Sequence, residues 1–251
     1  MSKISATIIT YNEARNIERC LDSLLGLVDE IVVIDSFSTD NTVEICKQKG
    51  AKVIRERWMG YAQTKNFANS QTQYEYVLSI DADEALSDEL KKSILSIKNN
   101  LSGVYSFNRL TNYCGKWIHH CGWYPDKKIR IFPKSKVTWQ GAFIHEEIVI
   151  LEKIKEQYLP GDLYHYSYYT IREHYKKIEK YAELSVKQML LDKKKFSWYQ
   201  PLTSAIGKFL TVYFFRLGFL DGYYGFIIAR ISAYGSYLKY KKLKTLLLAN
   251  D

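Results

Sequence analysis

Apolar residues enter the chain in short β-branched runs. Each run ends in polar residues and is followed by an amphipathic stretch. "SATIIT" (5–10), "EIVVIDS" (30–36), "AKVIRER" (51–57) and "YEYVLSIDAD" (74–83) are the first four runs. Short, nearly continuous apolar runs of this kind predict strands buried on both faces. Between them, Ile17, Leu21, Leu24 and Leu25 share one helical face. "STDNTVEICKQKG" (38–50) offers Asp40 or Asn41 as an N-cap and Gly50 as a stop, and "GYAQTKNFANSQ" (60–71) reads as a third helix. Residues 1–84 therefore read β-α-β-α-β-α-β, which predicts a parallel sheet covered by helices.

Further along, "SDELKKSILSIKNN" (87–100) predicts a helix capped by Ser87 or Asp88. Residues 103–150 read as strands and loops, including "GVYSFNRLTNY", "KKIRIFPK" and "EEIVIL". A basic helix is expected from 170 to about 195. After Pro201 come one or two aromatic helices interrupted by glycine, then "YLKYKKLKTLLL". There is no internal repeat and no low-complexity linker.

In open α/β sheets ligands bind at the carboxyl ends of the strands. Three polar clusters fall there: Thr10-Tyr11-Asn12, Asp35-Ser36 and Asp81-Ala82-Asp83. An Asp-x-Asp that ends an apolar strand lets two carboxylates approach one cation. Oxygen ligands of this kind suit Mg²⁺ or Mn²⁺, which commonly bind through one or two carboxylates plus substrate phosphates. Neither a Walker loop nor a G-x-G-x-x-G is present. Diphosphate binding would therefore rest on a metal and on nearby cations, with Glu84 capping the turn.

Charge changes the picture of the C-terminal third. The formal net charge of +9 belongs wholly to residues 165–251, which hold 15 basic and 6 acidic side chains. Residues 1–164 balance at 21 of each. The basic segment also carries 19 of the 37 aromatic residues. Such a surface suits an anionic partner, membrane or nucleic acid, or is a solvated helix face. No apolar run is long enough to span a bilayer: 201–220 is broken by Lys208 and Arg216, and 217–234 by Asp221 and Arg230. An interfacial segment is expected instead. The chain shows no basic-then-apolar leader, and its four cysteines form no extracellular framework. Free thiols and a cytoplasmic location are expected. "CGKWIHHCGW" (114–123) groups two Cys and two His, but adjacent His119 and His120 do not easily reach one ion. A loop near a polar substrate is the favoured reading over zinc.

The segments "ATIITYNEARNIERCLDSL", "IVVIDSFSTDNT" and "VLSIDADE" resemble the inverting, GT-A-type glycosyltransferases of family 2. "KIRIFPK", "GAFIHEE", "LYHYSYYTIREHYKKIEKYAEL" and "GFLDGYYGFIIARISAY" resemble the lipopolysaccharide core β-glycosyltransferase branch. The resemblance covers nearly the whole chain. It implies an α/β fold of the GT-A, nucleotide-sugar-binding type with a mainly parallel central sheet. A GT-A domain would occupy 1–165 and a basic helical extension 166–251.

The resemblance also implies roles. Thr10 and Tyr11 would line the nucleotide pocket, and Asp35 would accept a hydrogen bond from the base. Family members often carry Asp-Asp-Gly-Ser there, whereas this chain has Asp35-Ser36-Phe37-Ser38. Lys65 would stand near the base or diphosphate. Asp83 would ligate the metal, with Asp81 on ribose or metal-bound water, and His165 would complete the metal or diphosphate site. Arg130 would neutralise the diphosphate or be a plain surface charge. Glu146 would be the base that takes the acceptor hydroxyl's proton, with Glu147 beside it as the alternative. Trp117, Trp123 and Trp139 would stack on sugar faces or be core, with one of the three expected to be functional.

The implied reaction is transfer of a sugar, glucose first, from a UDP-sugar to a lipopolysaccharide-core or other membrane-linked glycan. Mg²⁺ or Mn²⁺ would assist, and the enzyme would sit peripherally on the inner face of the cytoplasmic membrane. The partners are then a nucleotide sugar, an anionic lipid-linked acceptor and the membrane surface, without nucleic acid. A metal-dependent nucleotidyltransferase and a nucleic-acid binder using the basic third are the alternatives.

Overall fold

The structure, a computed structural model, describes residues 2–141, 146–192 and 196–248. The first strands follow the apolar runs: β1 (Ile4–Thr10), β2 (Glu30–Asp35), β3 (Lys52–Arg55) and β4 (Tyr76–Ser79). Helices α1 (Ile17–Leu24), α2 (Thr42–Gln48) and α3 (Tyr61–Ser70) alternate with them. Then come β5 (Glu84–Leu86), α4 (Asp88–Ile97), β6 (Val104–Tyr113), β7 (Lys116–Ile118), β8 (Lys127–Pro133), β9 (Val137–Gln140), β10 (Glu147–Ile150) and β11 (Glu156–Tyr168). The chain ends in α5 (Ile171–Leu191), α6 (Gln200–Leu210) and α7 (Gly222–Leu248).

Nine strands form one mixed sheet in the order β3-β2-β1-β4-β8-β6-β11-β5, with β7 paired to β6. Its parallel part is the β3-β2-β1-β4 block. Antiparallel β8 extends it from β4, and antiparallel β5 and β11 pair at the other end. β9 and β10 form a separate antiparallel hairpin. Register aligns the strand ends, with Thr10 opposite Asp35 and Asp35 opposite Arg55. The polar clusters read from the sequence thus emerge along one edge, as a parallel sheet requires.

The chain divides into two compact units, residues 1–109 with 126–166, and residues 110–125 with 167–251. In the first unit Ile4, Ala6, Ile8, Ile17, Leu21, Leu24 and Leu78 form the fully buried core. Each large aliphatic side chain so buried contributes about 1.5–3 kcal/mol. Leu25, expected on the same helical face, is 56% exposed. It is the C-cap of α1 and turns to an extended ψ of 131°, so its side chain leaves that face. Gly50 follows α2 at φ +79°, the left-handed stop that glycine adopts without a Cβ penalty. Ser87 caps α4 by accepting the Leu90 N–H.

The second unit is built on an aromatic cluster. Tyr113 packs edge-on against Trp123, His174 and Tyr224, and Trp123 stacks on Tyr168. The Tyr113 hydroxyl lies 3.0 Å from His174 Nδ1. Asp221 is buried and accepts the amides of His119 and His120 at 3.3 and 2.9 Å, with His120 Nδ1 at 3.2 Å. The "HHC" loop is thus organised around an internal carboxylate. Among the described residues no group of three or more His, Cys, Asp or Glu side chains could hold a metal ion.

Glycines in the last segment do not break it into pieces. α7 runs 27 residues through Gly225 and Gly235. A Cβ on Gly235 would stand 2.5 Å from Ile178 Cγ2, and one on Gly225 would collide with the Gly218 carbonyl. These glycines are close-packing points, which periodicity along one strip of sequence does not distinguish from breaks. Gly225→Ala is therefore expected to destabilise the protein by about 1–3 kcal/mol, the usual cost of overpacking, as measured by denaturant unfolding.

His174 generates a second expectation. Burial, with Lys177 adding to it, pushes its imidazole down to about 4. The unfolded state then binds more protons between that value and about 6.5, so stability is lost as pH falls through this window. Between pH 7 and 5 the loss should be about 2 kcal/mol. Denaturation of wild type and His174→Gln at both pH values measures it, and equal pH slopes would contradict it.

Candidate active site

The strand β4 delivers a tight acidic turn. The Glu84 N–H donates to the Asp81 carbonyl, and the Asp81 N–H donates to Glu84 Oε2, both at 2.9 Å. Glu84 does cap the turn as its position suggested, and it does more. Its side chain is fully buried, and Oε1 accepts from Arg130 Nη2 at 2.7 Å, with Arg109 Nη1 at 3.5 Å. Arg109 is itself bridged to Asp126 by two N–H groups, at 2.9 and 2.8 Å.

Asp81 sits between two buried cations. Lys65 Nζ is 2.9 Å from one of its oxygens, and Arg130 Nη2 is 3.0 Å from the other. Burial would push the Asp81 carboxyl up, but the charges of Lys65 and Arg130 outweigh it. They hold the carboxyl well below the usual carboxylate range. Lys65 also reaches Glu146 Oε1 at 3.1 Å and stands 4.5 Å from the centre of the Trp139 ring. A buried ammonium is tolerable here because two carboxylates and an indole face compensate it. Asn66, the next residue on α3, pins Trp139 in place. It accepts the Trp139 N–H at 2.9 Å and donates to the Trp139 carbonyl at 2.8 Å.

Asp83 turns the other way. Its Oδ2 lies 3.3 Å from His165 Nε2, and its carbonyl accepts the Tyr166 N–H at 2.9 Å. The register of β11 on β5 places His165 opposite Glu84, which explains the approach. Both side chains are partly open to solvent. A carboxylate and an imidazole side by side are donors that would suit Mg²⁺ or Mn²⁺.

Thr10, Tyr11 and Asp35 lie at the ends of β1 and β2. Asp35 is fully buried and its oxygens accept the Ser38 N–H at 3.3 and 3.1 Å, with Arg55 Nε at 3.6 Å. Asn12, at φ +55°, ties the two loops together: its N–H donates to Ser38 Oγ and its Oδ1 accepts the Thr39 N–H, both at 2.8 Å. Tyr11 and Phe37 remain more than half exposed beside this latch. Three buried polar atoms have no hydrogen-bond partner among the described residues: Thr10 Oγ1, Arg130 Nε and Trp139 Nε1. All three are carried by residues named for the candidate site.

The structure therefore brings Lys65, Asp81, Arg130 and Glu146 into one hydrogen-bonded cluster, and pairs Asp83 with His165. Arg130, expected at the diphosphate, is almost wholly buried and spends its Nη2 on Asp81 and Glu84. Of the three tryptophans, Trp139 borders the cluster, whereas Trp123 is packed in the aromatic core of the second unit. The Glu84–Arg130–Arg109 network and the Asn66 latch escaped sequence reasoning. The acid at 84 was visible as the end of "DADE", but nothing local marks its basic partners. Cys20, whose thiol lies 3.5 Å from the Asp81 carbonyl, is no nucleophile. Burial and then the nearby Glu84, Asp83 and Asp81 charges push its pKa well up.

Residues 5–154 match the profile described as glycosyl transferase family 2. The chain is 35% identical over 259 residues to an uncharacterized glycosyltransferase of Rickettsia typhi, covering 99% of this chain and 89% of that protein. It is 27% identical over 259 residues to the lipopolysaccharide core biosynthesis glycosyltransferase LpsC of Rhizobium meliloti, covering 96% of this chain and 91% of that one. Among solved structures, S. aureus TarS 1–349 aligns at 16% identity with a TM-score of 0.47, over 99% of this chain and 92% of that chain. With a profile spanning more than half its length and a relative this similar along nearly all of it, the chain belongs to glycosyl transferase family 2.

Proposed function

We propose that this glycosyltransferase moves a hexose, glucose first, with inversion from a UDP-sugar onto an anionic, lipid-linked glycan of the lipopolysaccharide-core type. In this reading it works at the inner face of the cytoplasmic membrane. The observation that carries the reading is the braced Asp81 at the end of β4, with Glu146 held beside it through Lys65. The LpsC relative, named for lipopolysaccharide core biosynthesis, supports the acceptor class. The basic, aromatic C-terminal third supports the membrane face.

Each residue then has a task. Thr10, Tyr11 and Asp35 bind the nucleoside at the ends of β1 and β2. Asp81, fixed as an anion, receives the ribose or the water shell of the metal. Arg130 acts through Asp81 and Glu84 as a positioning residue. Asp83 and His165 would hold Mg²⁺ or Mn²⁺, which supplies positive charge to the departing diphosphate when bound. Lys65, with Asp81 and Glu146 as its two counter-ions, adds a fixed cation at the same edge.

Glu146 takes the proton of the acceptor hydroxyl as its oxygen bonds to the anomeric carbon and the bond to UDP breaks. Lys65 orients the Glu146 carboxylate for this by holding one oxygen and leaving the other available. Glu147 begins β10 with its side chain exposed, and it has no such partner among the described contacts.

Two measurements test this reading. Glu146→Gln should lower kcat with core-truncated lipopolysaccharide as acceptor by roughly 10²–10⁴-fold, the usual contribution of a general base, while UDP-glucose affinity stays nearly constant. Glu147→Gln should leave kcat close to wild type, and a reversed ranking would move the base to Glu147. Calorimetry with a panel of nucleotide sugars, in Mn²⁺ or in EDTA, should show metal-enhanced binding of one UDP-sugar. That enhancement should disappear in Asp83→Ala. Well-folded wild type that binds no nucleotide sugar would refute the donor assignment.

A further inference from the structure

The second unit exposes apolar side chains along α6 and its connection to α7. Along α6, Leu202, Ile206 and Leu210 recur every fourth residue and all are exposed, and Phe214 continues the stripe. The connection to α7 is a π-helical turn (Thr211–Phe215) followed by a short 3₁₀ turn (Gly218–Asp221). Its apolar side chains point outward: Phe215 is 81% exposed, and Leu217, Phe219 and Leu220 between 44% and 55%. Leu217 adopts φ +52°, a left-handed conformation costly for a branched side chain. The turn is nonetheless well tied, with Arg216 N–H on Thr211 O at 2.8 Å and Cys121 N–H on Arg216 O at 2.9 Å. A strained, hydrogen-bonded turn that presents phenylalanine and leucine to solvent is built, not left over. Contiguous exposed apolar surface of this extent marks an interaction site.

Charge identifies the partner. From 196 to 248 the chain has seven Lys and Arg and one acid, Asp221, which is buried. Between the start of α6 and the end of α7 runs a groove of about 610 Å³. Trp198, Pro201 and Leu202 line one wall, and Tyr237, Lys241 and Lys244 the other. Trp198 is 83% exposed. Apolar wall, aromatic rim and paired ammonium groups match a phospholipid, acyl chain on one side and phosphate on the other. A second copy of the chain would bring the same cations face to face. Among the described residues no helix is long and apolar enough to cross a membrane, and α6, at 11 residues, is far shorter than the ~20 a span requires.

We propose that the α6–α7 hairpin is an interfacial anchor for anionic phospholipid bilayers. Its apolar turn at 214–220 enters the headgroup–acyl boundary, and the Trp198–Lys241–Lys244 groove takes a lipid phosphate. This deepens the membrane-acceptor reading above and rests on it for the biological surface, but it is tested without a sugar.

The test is co-sedimentation of the full chain with vesicles of phosphatidylcholine alone or with one quarter phosphatidylglycerol. Wild type should pellet with the anionic vesicles, lose binding as salt rises, and pellet poorly with neutral ones. Phe215→Glu with Leu220→Glu should weaken partition at least about tenfold, and Lys241→Glu with Lys244→Glu should remove most of the salt-sensitive part. Both pairs are largely exposed, so thermal unfolding and UDP-glucose calorimetry should match wild type. Quenching of tryptophan fluorescence by brominated lipid that is present in wild type and lost in Trp198→Phe reads insertion at this residue apart from the other four tryptophans. Absence of wild-type binding to anionic vesicles, or binding unchanged in both double variants, would overturn the anchor. So would a self-association that Phe215→Glu with Leu220→Glu breaks while vesicle binding persists. Loss of donor binding with vesicle binding intact would instead overturn the proposed function alone.

Discussion

The head of the sheet depends on Asp81 being held as an anion between Lys65 and Arg130. Neither cation is affordable without its carboxylates in so dry a place, and the carboxylates would repel each other without the cations. Glu84 closes the circuit from below by holding both the turn amide and the Arg130 guanidinium. Removing Asp81 and Glu84 would strand the buried Arg130 charge, whereas Lys65 keeps Asp81 when Glu146 is neutralised. The cluster's rigidity is what a transferase needs, because charge that develops on a leaving diphosphate is best met by groups already in position.

Around this clamp the two candidate chemistries separate in space. On one side Glu146 shares Lys65 with Asp81 and so is tied to the end of β4. On the other, Asp83 and His165 pair where both side chains are partly open to solvent. One short segment, Asp81 to Glu84, supplies an anion braced by two buried cations, one paired with an imidazole, and one fully buried against arginine. Adjacent carboxylates with different surroundings can hold different tasks.

The second unit follows another logic. Its interior is an aromatic cluster and the buried Asp221, while phenylalanines and leucines of the α6–α7 connection stay largely exposed.

Much of this was legible along the chain. The β-α alternation to residue 84, the polar strand ends, the Ser87 cap and the C-terminal charge bias depend on neighbours in sequence, and periodicity reports those directly. Leu25 escaped because a helix end is decided by one backbone torsion, and the continuity of α7 escaped because Gly225 and Gly235 are occupied by distant groups. The clamp was out of reach for the same reason. Lys65 meets Glu146 across 81 residues and Arg130 meets Asp81 across 49, and residue type alone does not say which basic side chain will be buried against which acid. The sequence by itself determined where the acids stand on the strands. Only the tertiary structure decided which of them meet buried cations, because ion pairing in a low-dielectric interior is a property of distance and not of order along the chain.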